Sequence, residues 1–309
     1  MTMRIAVLGA GAMGSVYGAR LARAGADVTL LDVNDAHIAA ITTGGLHVAL
    51  DEGESTHHLP AMRPEAFHGP ADLVLLFTKV FHTEAALASI QPLLADTHVL
   101  SLQNGVGNVD RIAAHVDRDR ILVGMTMTPA EYLGPGRVAS HGAATTDLYS
   151  ASGRDLPILH KITALMDKGG ITARLEPDID VAIWEKATFN CSLNPVCALT
   201  GGTPGSVGAS EPGRRLAAQV AAEAIAVANA SGIAASLDKV TAMMEHAFAH
   251  HLHHEPSMLQ DRMAGRRTEI DALNGAMVRI GEGLGVPTPA NRIVTDLIHL
   301  TEDSTCYRA

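Results

Sequence analysis

The sequence predicts an α/β fold, a doubly wound parallel sheet, followed by an all-α domain. Three observations carry this. Before about residue 175, short apolar runs rich in Val, Ile and Leu alternate with helical patterns, which predicts strands covered by helices. From about residue 176 onward the apolar residues recur with helical periodicity only. The length, 309 residues, exceeds the usual single-core size, so two domains are expected, residues 1–175 and 176–309.

Taken in order, strands are expected at "RIAVLG" (4–9), "DVTLLD" (27–32), "DLVLLFTK" (72–79), "HVLSLQNG" (98–105) and "RILVGMT" (120–126). "GPGRVASHG" and "TTDLYS", between 134 and 150, open with Gly and Pro and read as a late antiparallel addition. Helices are expected over "DIDVAIWEKATFNCSLNPVCALT", over "RRLAAQVAAEAIAVANAS" (214–231), through the 240s, over "TEIDALNGAMVRIGEGLG" (268–285) and, briefly, after Pro289. "GGTPGSVGASEPG" (201–213) reads as a loop between helices.

Composition excludes several function classes. A formal net charge of -10 argues against nucleic acid, whose recognition needs clustered Lys and Arg. Apolar runs such as "DLVLLF" fall far short of the roughly 20 residues of a membrane helix, and no leader pattern opens the chain, so a soluble cytoplasmic protein is expected. Cys191, Cys197 and Cys306 are odd in number and lack CxxC spacing, so buried or incidental thiols are expected and no disulfide framework.

The first strand runs into "VLGAGAMGSVYGARLARAG", a G-x-G-x-x-G at Gly9, Gly11 and Gly14 that opens a helix. In that context the glycines permit a tight turn, close backbone approach to a pyrophosphate, and close helix–strand packing; the helix N-terminus offers amides to the phosphates. A Rossmann-type dinucleotide site is therefore expected on Gly9, Ala10, Gly11, Ala12, Met13 and Gly14. Asp32, closing the second strand, is placed to accept from an adenosine ribose and to repel a 2'-phosphate, favouring NAD(H) over NADP(H); in "DVND" it also fits ordinary turn chemistry.

In "IWEKATFNCSLNPV" (183–196), Lys186, Asn190 and Asn194 recur at intervals of four and share one helix face. Asn is a poor helix former that gains nothing from water contact alone, so the row is expected to hold something polar and not to be a solvated face.

The chain resembles the ketopantoate reductase family (2-dehydropantoate 2-reductases and related 2-oxo acid reductases) through motifs in the same order. These are "GAGAMG" at the start, "TK" (78–79), "QNGVGN" (103–108), "WEKATFNCSLNP" (184–195), "PSMLQD" (256–261) and "TEIDALNG" (268–275). The resemblance covers both domains, and its last four motifs are far more specific than the glycine loop. It implies a Rossmann domain joined to a helical substrate and dimerisation domain, with the active site in the cleft between them. It further implies Lys186 as the general acid that protonates the substrate carbonyl oxygen as hydride arrives. Asn190, Asn194 and Ser257 would then bind the substrate, Asn104 would lie near nicotinamide and substrate, Glu269 would contact the cofactor near Lys186, and Lys79 would lie on the cofactor side. The chemistry suits those residue types, since hydride addition to a ketone generates an alkoxide that a proton donor and fixed hydrogen-bond donors stabilise. Taken singly, Lys186 as a snorkelling lysine, Ser257 as an N-cap, Glu269 as a first-turn acid and Lys79 as a surface charge would be unremarkable.

Two departures from the family pattern bear on specificity. NADP(H), the family default, is commonly met by a basic residue after the second strand, where this chain has Asp32, Val33 and Asn34. Beyond Asn194 the chain runs into "LTGGTPG" in place of a polar residue, so NAD-dependent relatives of the D-mandelate type fit as well. A non-enzymatic NAD(P) redox sensor stays open as an alternative, although such a sensor would be free to lose the proton donor. His246, His250 and His254 stand at i, i+4, i+8, but no Asp or Cys completes a coordination shell, and no metal is expected. The Ala-rich segment "LAAQVAAEAIAVANA" suits close helix packing within the domain or across a two-fold axis, and a homodimer is expected.

Overall fold

The computed structural model describes residues 2–305, so Cys306 lies outside them. The chain divides into two compact units, residues 1–103 with 108–179, and residues 104–107 with 180–309.

In the first unit the strands are β1 (Arg4–Leu8), β2 (Asp27–Leu31), β3 (Leu46–Leu50), β4 (Gly53–His57), β5 (Ala61–Met62), β6 (Leu73–Leu76), β7 (His98–Ser101), β8 (Ile121–Thr126), β9 (Glu131–Gly134), β10 (Arg137–Ser140), β11 (Thr145–Ser150) and β12 (Thr172–Leu175). The helices are α1 (Ala12–Arg23), α2 (Asp35–Gly44), α3 (Thr83–Ser89), α4 (Asn108–Ala113) and α5 (Pro157–Lys168). Among the described residues the main sheet runs β12-β11-β8-β7-β6-β1-β2-β5. Strands β5, β2, β1, β6, β7 and β8 are parallel, whereas β11 joins β8 antiparallel and carries β12 parallel to itself. Burial on both faces explains why the central strands read as unbroken apolar runs: all of β6 and Ile5–Leu8 of β1 are buried.

The expected antiparallel addition divides in two. "TTDLYS" is β11 in the main sheet, but "RVAS" is β10 of a second sheet ordered β4-β3-β10-β9, where it runs parallel to β3. The β3–β4 hairpin carries no apolar alternation on its second strand, "GESTH", which is exposed at all but its last residue, so the pattern gives no sign of it. Inside the unit, Tyr17 of α1 buries its hydroxyl among those of Thr126, Thr128 and Thr146, tying α1 to β8, β11 and the segment between β8 and β9.

The second unit holds α6 (Ile179–Thr200), α7 (Pro204–Gly208), α8 (Glu211–Ala230), α9 (Leu237–His250), α10 (Ser257–Met263), α11 (Asn274–Leu284) and α12 (Pro289–Thr305). Three expectations need correction. The 201–213 loop contains α7, started by Pro204 and capped by Thr203. The helix expected over 268–285 is a short 3-10 turn, Ile270–Ala272, followed by α11, because the backbone at Leu273 (φ -104, ψ -104) leaves helical geometry. The last helix is long, at 17 residues.

Helix α6 is buried on most of its circumference, with Trp184, Ala187, Cys191, Leu193, Val196, Cys197 and Ala198 in the core. Pro195 sits inside it. Having no N–H, Pro195 cannot bond the carbonyl four residues earlier, that of Cys191, and Asn274 of α11 donates to that carbonyl instead at 3.1 Å. Asn274 is held in turn by Asn291 Oδ1 at 3.1 Å. The small-residue face of α8 (Ala217, Ala221, Ala224, Ala228) is buried within the unit.

The glycine loop separates two uses of glycine. Gly9 has φ +95, and a Cβ there would lie 2.6 Å from the Thr78 nitrogen; a Cβ on Gly14 would lie 2.1 Å from the Gly9 carbonyl oxygen. A Cβ on Gly11 meets nothing within 4 Å. Gly14→Ala should therefore lower Tm by about 5 °C, from an overpacking cost of about 2 kcal/mol, while Gly11→Ala leaves Tm within about 1 °C in a thermal melt. Equal losses would show that Gly11 also serves packing.

Candidate active site

Two groups of expected residues lie in different units. In the first unit, Gly9–Gly14 spans the carboxyl end of β1 and the start of α1. Gly11 is the N-cap of α1 without a side-chain cap, and no acid stands in the first turn, so the helix keeps its partial positive end for an anion. The open space over Gly11 and that uncapped terminus fit a dinucleotide pyrophosphate. Ala10 is buried, while Ala12 and Met13, the first residues of α1, are half-buried. Asp32 follows β2, and its Oδ1 accepts from the Asn34 N–H at 2.9 Å, the turn chemistry that "DVND" suggests. Lys79, half-buried, follows β6 and precedes a 3-10 turn.

In the second unit the motif row is built from three segments. Lys186, part-buried on α6, donates from Nζ to Asn104 Oδ1 at 3.2 Å. Asn104 donates from Nδ2 to Glu269 Oε2 at 3.4 Å. The carboxamide thus turns its acceptor to the ammonium and its donor to the carboxylate. Burial pulls the Lys186 pKa down to about 8, and the negative charge of Glu269 opposes part of that fall.

Each partner has its own support. Next to Asn104, Gly105 (φ +83) approaches the Ala272 carbonyl so closely that a Cβ would lie 2.3 Å from the oxygen, and Val106 N–H donates to the same carbonyl at 3.4 Å. Beside Glu269, Thr268 N–H donates to Glu302 of α12 at 2.8 Å. Asn190 and Asn194 continue the α6 row with 9% and 7% exposure, so the row is not a solvated face. Ser257 is the first residue of α10 and exposed; the N-cap is Pro256, so Ser257 does not cap the helix. Glu269 precedes the 3-10 turn and is buried, so it is not a first-turn acid of a long helix. Asn104, Lys186 and Glu269 are thus brought together, while Ser257 has no hydrogen bond to them among the described residues.

Asn274 belongs to this account although no chemistry in the sequence singled it out. The available signal was Pro195: a proline deep in a helix leaves a carbonyl that some distant donor must satisfy. Cys191 and Cys197 are buried, and burial pushes both thiols up, which suits inert packing groups. The histidine row does not extend to His254, because α9 ends at His250: His246 stacks on His250 at 4.3 Å, whereas His254 lies against His251 at 5.3 Å. Among the described residues no group of three or more His, Cys, Asp or Glu is placed to hold a metal ion. No helix among them is long and apolar enough to cross a membrane.

The lysine makes a direct test possible. In an NMR titration of isotope-labelled lysine side chains, Lys186 should titrate near 8, and Glu269→Gln should lower it further by removing the charge that favours the ammonium. A Lys186 titrating near the ordinary 10.5 would remove the basis of its assignment.

Comparison with known proteins identifies the family. Residues 5–153 match the family model described as ketopantoate reductase PanE/ApbA, and residues 178–302 match the one for its C-terminal part. A 2-dehydropantoate 2-reductase of Streptococcus pyogenes is 35% identical over 97% of this chain and 98% of its own length. The Lactococcus lactis enzyme of the same name is 32% identical over 97% and 98%. Among solved structures, D-mandelate dehydrogenase with NADH and anilino(oxo)acetate superposes with a TM-score of 0.94 at 34% identity, covering 98% of this chain and 99% of that one. A PanE/ApbA family ketopantoate reductase from Ralstonia eutropha gives a TM-score of 0.90 at 32% identity, with 98% and 99% covered. With both halves matched by the family's models and full-length relatives of one name, the chain belongs to the ketopantoate reductase family of oxidoreductases.

Proposed function

We propose that the chain reduces the ketone of a branched or bulky 2-oxo acid to a D-2-hydroxy acid, with Lys186 as the proton donor. The observation that carries this reading is the Lys186–Asn104–Glu269 chain of contacts, which holds an ammonium of lowered pKa where a water-exposed lysine would be too weak an acid. A nicotinamide dinucleotide held at Gly9, Ala10, Gly11, Ala12, Met13 and Gly14, with Lys79 on its side, would supply the hydride. Lys186 gives its Nζ proton to the carbonyl oxygen as charge develops there. Asn104 keeps the Nζ oriented, Glu269 keeps it protonated, and Asn190, Asn194 and Ser257 bind the substrate's polar atoms.

Within the reading, the 2-dehydropantoate type rests on the names of the full-length relatives. The D-mandelate type rests on the structural neighbour that holds NADH. Asp32 supports NAD(H) over the family's NADP(H), since its carboxylate would meet a 2'-phosphate, and Arg63, just past β5, is already paired bidentately with Asp35 at 2.8 and 2.7 Å. A redox-sensing role is disfavoured because a sensor has no use for a desolvated lysine. The proposal includes a cytoplasmic homodimer. The α8 small-residue face lies inside the unit, and the exposed apolar stripe Ile293, Leu297 and Leu300 on α12 is the surface that suits a second copy.

A panel of 2-oxo acids, assayed by nicotinamide absorbance with NADH and with NADPH, tests the reading. Turnover of no member would contradict it, and tighter NADPH than NADH would contradict the role of Asp32. On the best substrate, Lys186→Ala should lower kcat by roughly 10²- to 10⁴-fold with NADH affinity little changed, whereas Asn190→Ala should also raise KM. A near-normal kcat in Lys186→Ala would place the proton donor elsewhere.

A further inference from the structure

His37 of α2 is a titratable group that the chemistry above does not use, and only 1% of it is exposed. Its Nδ1 lies 2.9 Å from the Gly136 backbone N–H and 3.4 Å from the Tyr132 hydroxyl. Its Nε2 lies 3.3 Å from Ser15 Oγ, and Ser15 Oγ donates to the Ala10 carbonyl at 2.7 Å. A backbone N–H can only donate, so Nδ1 must be the acceptor and the ring proton must sit on Nε2. The hydrogen bonds therefore run in one direction, from Gly136 to His37 to Ser15 to Ala10.

The end of that relay is the glycine loop. The Ala10–Gly11 peptide is trans, and in a planar trans peptide the carbonyl and the following N–H point to opposite sides. Ser15 is fully buried and draws the Ala10 carbonyl inward, which turns the Gly11 N–H outward, and Gly11 is the residue over which the space is open. We propose that neutral His37 is a positioning residue of the dinucleotide loop, holding the Ala10 carbonyl through Ser15 so that the Gly11 N–H is aimed at the cofactor's pyrophosphate. The inference rests on the dinucleotide reading of that loop.

A positioning role of this kind has a pH signature. A proton on Nδ1 would set one donor against another, Gly136 N–H, with the Tyr132 hydroxyl beside it. Burial lowers the His37 pKa, against the pull of the Asp32 carboxylate and the Ala10 carbonyl. Because burial lowers the folded value, His37 stays neutral and the relay intact at neutral pH, and the relay is lost only as pH falls through that lowered value, below the ordinary histidine value of about 6.5.

The test is NADH and NADPH binding, by nicotinamide fluorescence, for the full-length wild type, His37→Gln, His37→Ala and Ser15→Ala from pH 8 down to the lowest pH at which each protein stays folded. At pH 7.5, His37→Ala and Ser15→Ala should each weaken binding by about tenfold, the scale of one lost buried hydrogen bond, with a far smaller fall in kcat at saturating NADH. His37→Gln keeps a donor within reach of Ser15 but cannot be protonated. It should bind nearly as wild type at pH 7.5 and lack the acid-side loss that the wild type shows. Unchanged affinity in Ser15→Ala, or the same pH dependence in wild type and His37→Gln, would overturn the inference and leave the dinucleotide reading standing. A wild type that binds neither NADH nor NADPH would overturn that reading and the inference with it.

Discussion

A lysine ammonium held away from water in the helical unit is the constraint around which the candidate site is arranged. Moving its pKa from 10.5 to about 8 corresponds to roughly 3 kcal/mol against the charged form, an imbalance that folding retains only if something else holds the charge in place. Asn104 and Glu269 do this, and neither is free to move: the Asn104 loop leans on the Ala272 carbonyl, and the Glu269 segment is bonded to Glu302 of α12. The same helix that carries the lysine contains Pro195, whose missing N–H is made good by Asn274. Four distant stretches of sequence therefore meet to hold one amine. The outcome is an acid whose strength lies near neutrality, which reduction of a ketone needs.

On the proposed reading the first unit meets a different demand, that of presenting backbone amides to an anion. Its loop is shaped by exclusion, since Gly9 and Gly14 have no room for a side chain, and by the relay from His37 through Ser15 to Ala10. Asp32 serves the turn through one oxygen, so its turn role and the proposed ribose role are compatible. Selectivity between 2-oxo acids is of another kind, because it depends on which apolar side chains line the substrate and no hydrogen-bonding motif reports that.

How much of this could be read from the chain depends on range. The apolar runs of β1, β2, β6, β7 and β8 are local and found within a few residues of their expected positions. The polar row Lys186, Asn190 and Asn194 was legible because helical spacing alone defines it. The family resemblance implied that Asn104 and Glu269 each belong to the site, but their contact, between residues 165 apart in sequence, was not legible in the chain. β4 is too polar for periodicity to mark, and α7 is concealed among Gly and Pro. "TEIDALNG" has a good helical pattern, yet tertiary contacts turn the chain at Leu273 and break it. His37 was invisible because a single histidine in "DVNDAH" looks like a surface residue; its significance comes from Ser15 and Gly136, 22 and 99 residues away.

The pH dependence of kcat/KM for reduction of the best 2-oxo acid tests the central claim most directly. If Lys186 must be protonated to act, the rate is flat at neutral pH and falls with unit slope above the lowered lysine value of about 8, while the reverse oxidation rises over the same range. A reduction rate that stays level to pH 10 would show that the buried amine is not the proton donor.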